Sequence, residues 1–227
     1  MRTVALIAMG IVPLFAGFFP ETTHSSIESL NEPKLTLSTP FEKRGMSGVV
    51  IHHYGNGVEA ITHRIVQTSP SGEAKIVPQA VIQHPALPTI KTSISTEDSV
   101  IGGYLYENVL LLAPNAQTYA HITQKYAKNW IHPDLYASFL AQAKEATPTK
   151  ENLLAFAQAY QVGLVYIVGE KEVKLLDPYS GEIVNKAKKS IETNTTQTPF
   201  YMHFKKIDTG WFSGAEKRSY YQLMESL

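Results

Sequence analysis

Cysteine is absent from the 227-residue chain, and neither sign of charge is in excess. The absence of cysteine excludes a disulfide framework, a thiol nucleophile and a thiolate metal site. Lysine and arginine number 20, as do aspartate and glutamate, so the formal net charge is zero. A neutral chain offers no basic surface for a phosphate backbone, and nucleic acid is therefore not an expected partner.

Several catalytic motifs are also missing. The sequence has no Gly-x-Ser-x-Gly nucleophile elbow, no phosphate-binding loop and no His-Glu-x-x-His helix. His52 and His53, with His63 and His84 in nearby predicted strands, are the histidines considered for a metal. Because adjacent residues of a strand point to opposite faces, His52 and His53 cannot bind one ion without a bulge. We therefore expect no metal, no cofactor and no enzymatic activity.

The amino terminus has the pattern of an export signal. Arg2 precedes an uncharged, largely apolar run over residues 3–20 that two prolines interrupt or close. A spanning helix needs about 20 apolar residues, so a signal peptide over residues 1–20 is favoured over an uncleaved anchor. The cleavage position stays open, because Leu14 rather than a small residue lies two places before Ala16. We expect an exported protein, in the periplasm or on the outer cell surface, with no membrane span in its mature chain.

The first half of the chain predicts β structure. Residues 21–45 are rich in serine, threonine, glutamate and proline and are predicted to be a polar leader rather than packed structure. Residues 46–115 are predicted to form a β-rich subdomain, an antiparallel sheet or barrel of five or six strands. Its expected strands are short β-branched runs separated by turn residues, at 48–53, 59–67, 73–83, 89–95, 99–106 and 108–113. The last run is nearly all apolar and is therefore expected to be a central strand.

The second half predicts mixed structure. Over residues 116–227 we expect an α+β subdomain that begins with three amphipathic helices, the third capped by Thr149 and stopped near Gly163. A small antiparallel sheet, a further strand over 198–205 and a closing helix from about residue 214 should follow. Since strands and helices are segregated along the chain, the predicted fold class is α+β.

Two polar or aromatic positions near the carboxyl end are candidates for contact or modification. Trp211 lies in a glycine-bounded loop, where packing between sheet and helix is favoured over exposure as a recognition spot. Asn194 lies in a Glu-Thr-Asn-Thr-Thr sequence over residues 192–196, which matches the longer bacterial form of the glycosylation acceptor pattern.

The chain resembles the amino-terminal domain of the bacterial plasminogen-binding protein A (PgbA) family. The resemblance covers most of the chain from about Gly48 and is stronger from Asn108 onward. It rests on NVLLLAPN at 108–115, VGLVYIV at 162–168, TPF at 198–200, IDTG at 207–210, FSG at 212–214 and the terminal helix with its tyrosines.

The resemblance implies an exported envelope protein that captures the host zymogen plasminogen without chemistry of its own. Kringle modules of plasminogen bind a ligand lysine whose ammonium meets acids and whose stem lies on aromatic rings. The sequence ends on Leu227 rather than on lysine, so an internal lysine with a neighbouring acid would have to serve. The local candidates are Lys171 with Glu170 or Glu172, and Lys206 with Asp208.

Two functions from different classes therefore stay open. The first is a binding module of the cell envelope that docks a protein ligand such as plasminogen. The second is a structural or assembly component of the envelope that contacts other bacterial proteins and has no physiological need of plasminogen. A hydrolase is a distant third, which a deep pocket with converging polar groups would favour.

Overall fold

The computed structural model describes residues 17–78, 92–190, 195–208 and 218–227. Within these ranges, a barrel of strands comes first, and helices then alternate with a second sheet up to a closing helix. The predicted α+β class is confirmed. The predictions for residues 1–16, His84, Asn194 and Trp211 lie outside the described residues.

The barrel is closed and its six strands are antiparallel. Its strand order is β1-β2-β5-β4-β3-β6, and β6 also pairs with β1. The hairpin between β3 and β4 turns through Asn56 and Gly57 at positive φ, as the turn residues predicted. The strands are β1 (Thr23–Asn31), β2 (Lys34–Leu37), β3 (Ser47–Gly55), β4 (Val58–Gln67), β5 (Glu73–Val77) and β6 (Ser99–Gly102).

The predicted polar leader is wrong, because residues 21–45 supply two strands of this barrel. Leu35 and Leu37 are buried and alternate with more exposed neighbours, and Ile27 is the fully buried position of β1. The ring of Phe41 packs on the backbone of Gly102, and a Cβ added at Gly102 would lie 2.4 Å from that ring. A strand that buries one face needs few apolar residues, so its composition is close to that of a polar linker.

The second sheet has five strands. It is a mixed sheet, whereas an antiparallel sheet was predicted. Its order is β11-β10-β9-β7-β8, and β7 runs parallel to both of its neighbours. The apolar run at 108–113, predicted to be central in the β-rich half, is central in this sheet instead. The strands are β7 (Asn108–Leu112), β8 (Asn129–Ile131), β9 (Leu164–Val168), β10 (Glu172–Asp177) and β11 (Glu182–Lys188).

The three predicted helices are confirmed, and a fourth closes the chain. Thr149 caps its helix in a reciprocal capping box with Asn152, whereas that helix ends at Gln161 in the left-handed conformation rather than at Gly163. The predicted strand over 198–205 is wrong, since this segment is irregular. The helices are α1 (Ala116–Lys125), α2 (Pro133–Gln142), α3 (Lys150–Tyr160) and α4 (Tyr220–Glu225).

The second sheet forms the middle layer of the molecule. Alternate residues of β7 enter different cores, because successive side chains of a strand point to opposite faces. Val109 and Leu111 join the core shared with the barrel and α1, whereas Leu110 and Leu112 join the core under α2, α3 and α4. Both faces of the sheet are therefore buried.

A buried carboxylate joins the barrel to the second sheet. Asp177, at the end of β10, is fully buried, and its Oδ2 accepts hydrogen bonds from the Ser47 N–H and the Tyr106 hydroxyl, both at 2.7 Å. Its Oδ1 accepts the N–H groups of Tyr179 and Ser180 at 2.8 and 3.2 Å. Burial raises the pKa of Asp177 although these hydrogen bonds favour the ionised form. We call this arrangement the Asp177 joint.

Two aromatic residues from the predicted signal region belong to the folded body. Phe18 and Phe19 pack on Tyr166, with ring centroids 5.4 and 6.1 Å away, and also contact Tyr126. The carbonyl of Phe18 accepts a 2.7 Å hydrogen bond from the Asn185 side chain. Among the described residues, no helix has the length and apolar character that crossing a membrane requires.

Candidate binding surface

An exposed hairpin presents the first candidate lysine. In the pairing of β10 with β11, Glu172 lies opposite Lys188. Lys171 lies in the turn before β10, and its carbonyl accepts a 2.9 Å hydrogen bond from the backbone N–H of Lys189. We call the group of Lys171, Glu172, Lys186 and Lys188 the lysine hairpin. Glu172, Lys186 and Lys188 come from the two paired strands and Lys171 from the turn beside them, so the four lie near one end of the hairpin.

The acid of the lysine hairpin pairs across the strands and not along the sequence. Glu172 Oε1 lies 3.3 Å from Lys186 Nζ, and the two side chains are 38% and 54% exposed. Lys171 and Lys188 are exposed and form no ion pair within the described part of the chain. An exposed pair contributes about 1 kcal/mol at most, so it opens readily for a competing ligand. The hairpin thus offers two unpaired ammonium groups beside one carboxylate.

The second candidate pair lies in an irregular segment. Lys206 and Asp208 are exposed on either side of Ile207, which is 8% exposed and belongs to the core under the helices. Phe204, two residues before Lys206, is 47% exposed. The structure therefore places the lysine and the acid at the surface, as a protein ligand requires.

A cluster of two histidines and one aspartate lies where this segment meets α2. His132 is the N-cap of α2, and its Nδ1 accepts the N–H of Asp134 at 3.2 Å. The Asp134 carboxylate accepts a hydrogen bond from the His203 N–H at 2.8 Å and lies 2.8 Å from His203 Nδ1. We call these three residues the histidine–aspartate group.

The charge of Asp134 is stabilised within this group. Partial burial raises its pKa, but the backbone and side-chain hydrogen bonds of His203, with the two imidazoles nearby, outweigh burial and lower the pKa. The carboxylate is therefore ionised at neutral pH. Sequence reasoning missed the group because Asp134 and His203 are 69 residues apart and no local motif links them.

Of the histidines singled out by sequence, His52, His53 and His63 lie on the barrel, and His52 and His53 have separate partners. His52 Nδ1 lies 2.7 Å from Asp98 Oδ1, whereas His53 Nδ1 lies 3.0 Å from Glu59 Oε1. The two adjacent imidazoles thus contact different acids, as the opposite faces of a strand predict.

Comparison with known proteins identifies one family over nearly the whole chain. Residues 22–227 match the family described as Plasminogen-binding protein pgbA N-terminal. Two relatives, both named Plasminogen-binding protein PgbA, come from Helicobacter pylori strains J99 and 26695. Each is 26% identical over 234 residues, which cover 99% of this chain and 51% of the relative.

The chain thus spans about half the length of the curated relatives it matches, at 51% of each. No solved structure matches it. The family match begins just before β1 and includes the barrel, the second sheet and every described helix. This chain belongs to the family of plasminogen-binding protein pgbA amino-terminal domains.

Proposed function

We propose that this domain is a non-enzymatic protein-binding module of the cell envelope, and that it binds plasminogen through the lysine hairpin. The names of its relatives supply the partner, since both are plasminogen-binding proteins. The lysine hairpin is the observation on which the proposal depends. Lys171 and Lys188 are exposed without an ion pair in the described ranges, beside the Glu172–Lys186 pair.

The chemistry of a kringle site fits this arrangement. Such a site takes an ammonium between acids and the aliphatic stem of the lysine on aromatic rings, with a ligand carboxylate nearby. The lysine hairpin offers ammonium groups and a carboxylate on neighbouring residues, whereas a carboxy-terminal lysine carries an ammonium and a carboxylate on one residue. The pairing of β10 with β11 fixes the backbone of these residues, so ligand binding has to order their side chains but not the backbone.

The proposal includes that the domain catalyses no reaction, and the hydrogen bonding of its buried acids supports this part. Two carboxylates of the described residues are buried, those of Asp177 and Asp98. The Asp177 joint uses both oxygens of the first, and the second contacts His52 Nδ1 and accepts the Ser95 N–H. Every buried side-chain nitrogen or oxygen in the described ranges has a hydrogen-bond partner. A buried acid held by structural hydrogen bonds has no lone pair directed at a substrate.

Export is also proposed, on the strength of the uncharged apolar run that follows Arg2. Since Phe18 and Phe19 pack on Tyr166 in the folded body, the cut that removes the signal is proposed to lie before Phe18. Cell fractionation tests it directly, with recovery in the periplasm or on the outer surface as the expected result. Recovery of the intact chain in the cytosol would contradict it.

The binding proposal is tested by surface plasmon resonance with immobilised plasminogen. We expect the double variant Lys171→Ala/Lys188→Ala to bind more than about tenfold more weakly, because truncating one partner of a desolvated charge pair costs about 2 kcal/mol or more. A soluble lysine analogue should compete with the unmodified protein. Lys206→Ala measures the second candidate site separately.

A matched control is available on the barrel. Lys34 and Lys75 are both exposed and lie opposite each other on β2 and β5, so Lys34→Ala/Lys75→Ala removes the same charge from another sheet. Equal weakening by both double variants would mean that net charge, not the hairpin, governs binding. Capture that the analogue leaves unchanged would favour the envelope-assembly role instead, which crosslinking in cells would then identify by a stable bacterial partner.

A further inference from the structure

The histidine–aspartate group brings together ligands that transition ions prefer. One candidate ligand atom from each of His132, Asp134 and His203 lies within 4.8 Å of the other two. Asp134 Oδ2 is 2.8 Å from His203 Nδ1 and 3.5 Å from His132 Nδ1. Ligands held tetrahedrally at about 2.0–2.1 Å from Zn²⁺ lie about 3.3 Å apart. The two measured separations bracket that spacing. To bind an ion through Nδ1, His132 must release the Asp134 N–H that this atom accepts at 3.2 Å.

We propose that His132, Asp134 and His203 bind one divalent first-row transition ion, of which Zn²⁺ is the representative. In the ion-free protein, His203 Nδ1 lies 2.8 Å from the ionised Asp134 carboxylate, so Nδ1 carries the proton of this contact. When the ion takes the place of this contact, the neutral ring changes tautomer: Nδ1 gives its proton to water and Nε2 takes one up, so that the Nδ1 lone pair and the carboxylate become ligands. Two imidazoles and one carboxylate suit Zn²⁺, Ni²⁺ or Cu²⁺, whereas Mg²⁺ and Ca²⁺ prefer oxygen ligands alone.

A tyrosine lies beside the outer nitrogen of His203 and can hold the tautomer that ion binding needs. The hydroxyl of Tyr201 lies 3.0 Å from His203 Nε2. When His203 binds an ion through Nδ1, its proton resides on Nε2 and is donated to the Tyr201 oxygen, which fixes the tautomer. The Tyr201 ring also packs on Tyr119, and both tyrosine rings contact His132. The group is therefore backed by an aromatic wall and is open on its other side.

Ion binding requires one ring to turn. The imidazoles of His132 and His203 are nearly parallel, with an interplanar angle of 5° and centroids 4.9 Å apart. An imidazole binds an ion in its own plane, so two parallel rings cannot both do so as they stand. His203 is 64% exposed and lies in an irregular segment, whereas His132 is 38% exposed and caps α2. His203 is thus the ring that turns.

The ion would fasten the irregular segment to the start of α2. Two hydrogen bonds from His203 to Asp134 already make this connection in the ion-free state. Three protein ligands leave at least one position for water, because four-coordinate Zn²⁺ needs a further ligand. This site is separate from the lysine hairpin, so its presence does not depend on plasminogen binding.

Isothermal titration of tag-free protein with ZnCl₂ tests the site, and thermal unfolding with and without Zn²⁺ gives a second readout. We expect one ion per chain and a rise in the melting temperature. Mg²⁺ and Ca²⁺ should produce neither effect. Co²⁺ should give the intense visible absorption of a four- or five-coordinate ion. A chain that takes up no Zn²⁺ would overturn the proposal.

The variants separate this group from other histidines. His132→Asn keeps an N-cap acceptor for α2, Asp134→Asn keeps the side-chain size, and His203→Ala alters an exposed position. Each should weaken Zn²⁺ binding by at least about tenfold, and Tyr201→Phe by about tenfold, as outer ligands typically do. Circular dichroism should show all four folded.

His121→Ala is the matched control, since this histidine is exposed on α1 and outside the group. It should bind Zn²⁺ as tightly as the unmodified protein. His53→Ala examines the imidazole paired with Glu59 on the barrel. If His53→Ala removes binding, or if the three ligand variants retain it, the ion site lies elsewhere and the proposal is wrong.

Discussion

The Asp177 joint gives a stability prediction whose size follows from its hydrogen bonds. Asp177→Asn preserves the shape of the side chain but replaces one acceptor oxygen with an amide donor. The oxygen of the asparagine would stay with the N–H groups of Tyr179 and Ser180, which form the turn after β10. The amide would then face the donors from Ser47 and Tyr106, which come from the other side of the joint.

The cost can be estimated donor by donor. The Tyr106 hydroxyl can rotate and accept from the new amide, whereas the Ser47 N–H cannot and is left without an acceptor. A buried unsatisfied donor costs about 1–3 kcal/mol. Burial raises the pKa of Asp177, so removing its charge relieves part of that cost. We therefore expect Asp177→Asn to lower the free energy of unfolding by about 2 kcal/mol.

Two further substitutions set the scale. Asp177→Ala leaves all four donors without their acceptor and should cost about 4 kcal/mol or more. Tyr106→Phe removes one donor and leaves the carboxylate its other three, so it should cost about 1.5 kcal/mol, in the range for a hydrogen bond to a charged group. In the double variant Asp177→Asn/Tyr106→Phe, the effects should differ from additivity by at least about 0.5 kcal/mol, because the two side chains are in contact.

Urea unfolding at pH 7, followed by circular dichroism and by fluorescence, measures these differences. Glu73→Gln is the control, since this exposed residue of β5 should change stability by less than about 0.5 kcal/mol. If Asp177→Asn is as stable as the unmodified protein within that margin, the carboxylate does not join the barrel to the sheet. The order expected from the hydrogen bonds would then be refuted.

Three other perturbations have definite expected outcomes. Lowering the pH from 7 toward 4 should stabilise the unmodified protein relative to Asp177→Asn. The pKa of Asp177 is raised in the folded state, so the stability that Asp177 contributes is greatest below its unfolded-state pKa and falls as the pH rises through its folded-state pKa. If the reasoning were wrong, the difference between the urea midpoints of the two proteins would stay constant across this range. Gly163→Ala should prevent normal folding, since an added Cβ would lie 2.0 Å from the Leu105 carbonyl oxygen, and recovery of soluble protein with an unchanged melting temperature would argue against this. Phe18→Ala and Phe19→Ala should each lower the free energy of unfolding by about 2 kcal/mol through loss of half-buried aromatic contacts, which thermal unfolding measures; no change would show that this segment is not docked.

Local signals in the sequence were sufficient for most elements. Asn56 and Gly57 predicted the first hairpin, and Thr149 predicted a helix start, because turns and caps depend on residues within four positions of each other. The run at 108–113 was long and apolar enough to predict a central strand. These predictions agree with the structure because tertiary packing favours the same conformation as the local sequence.

Long-range pairings were not available from local pattern. The polar composition of residues 21–45 did not predict the two barrel strands, because these strands together have more exposed than buried residues. The prediction of Gly163 as a helix stop was wrong because its need for glycine comes from the backbone of Leu105, far away in sequence. The histidine–aspartate group likewise exists only after the segment around His203 returns to α2.

The position of β7 has a consequence for how the chain is made. This strand precedes every described helix, yet both of its neighbours, β8 and β9, are synthesised after it and pair with it in parallel. It cannot be covered by a simple hairpin, because parallel strands need long crossovers. During translation or passage through a translocation channel, β8 can pair with it once residue 131 has emerged, but Val109 to Leu112 lack their second neighbour until residue 168 has emerged. Chaperone binding during this interval would protect the exposed apolar segment from aggregation.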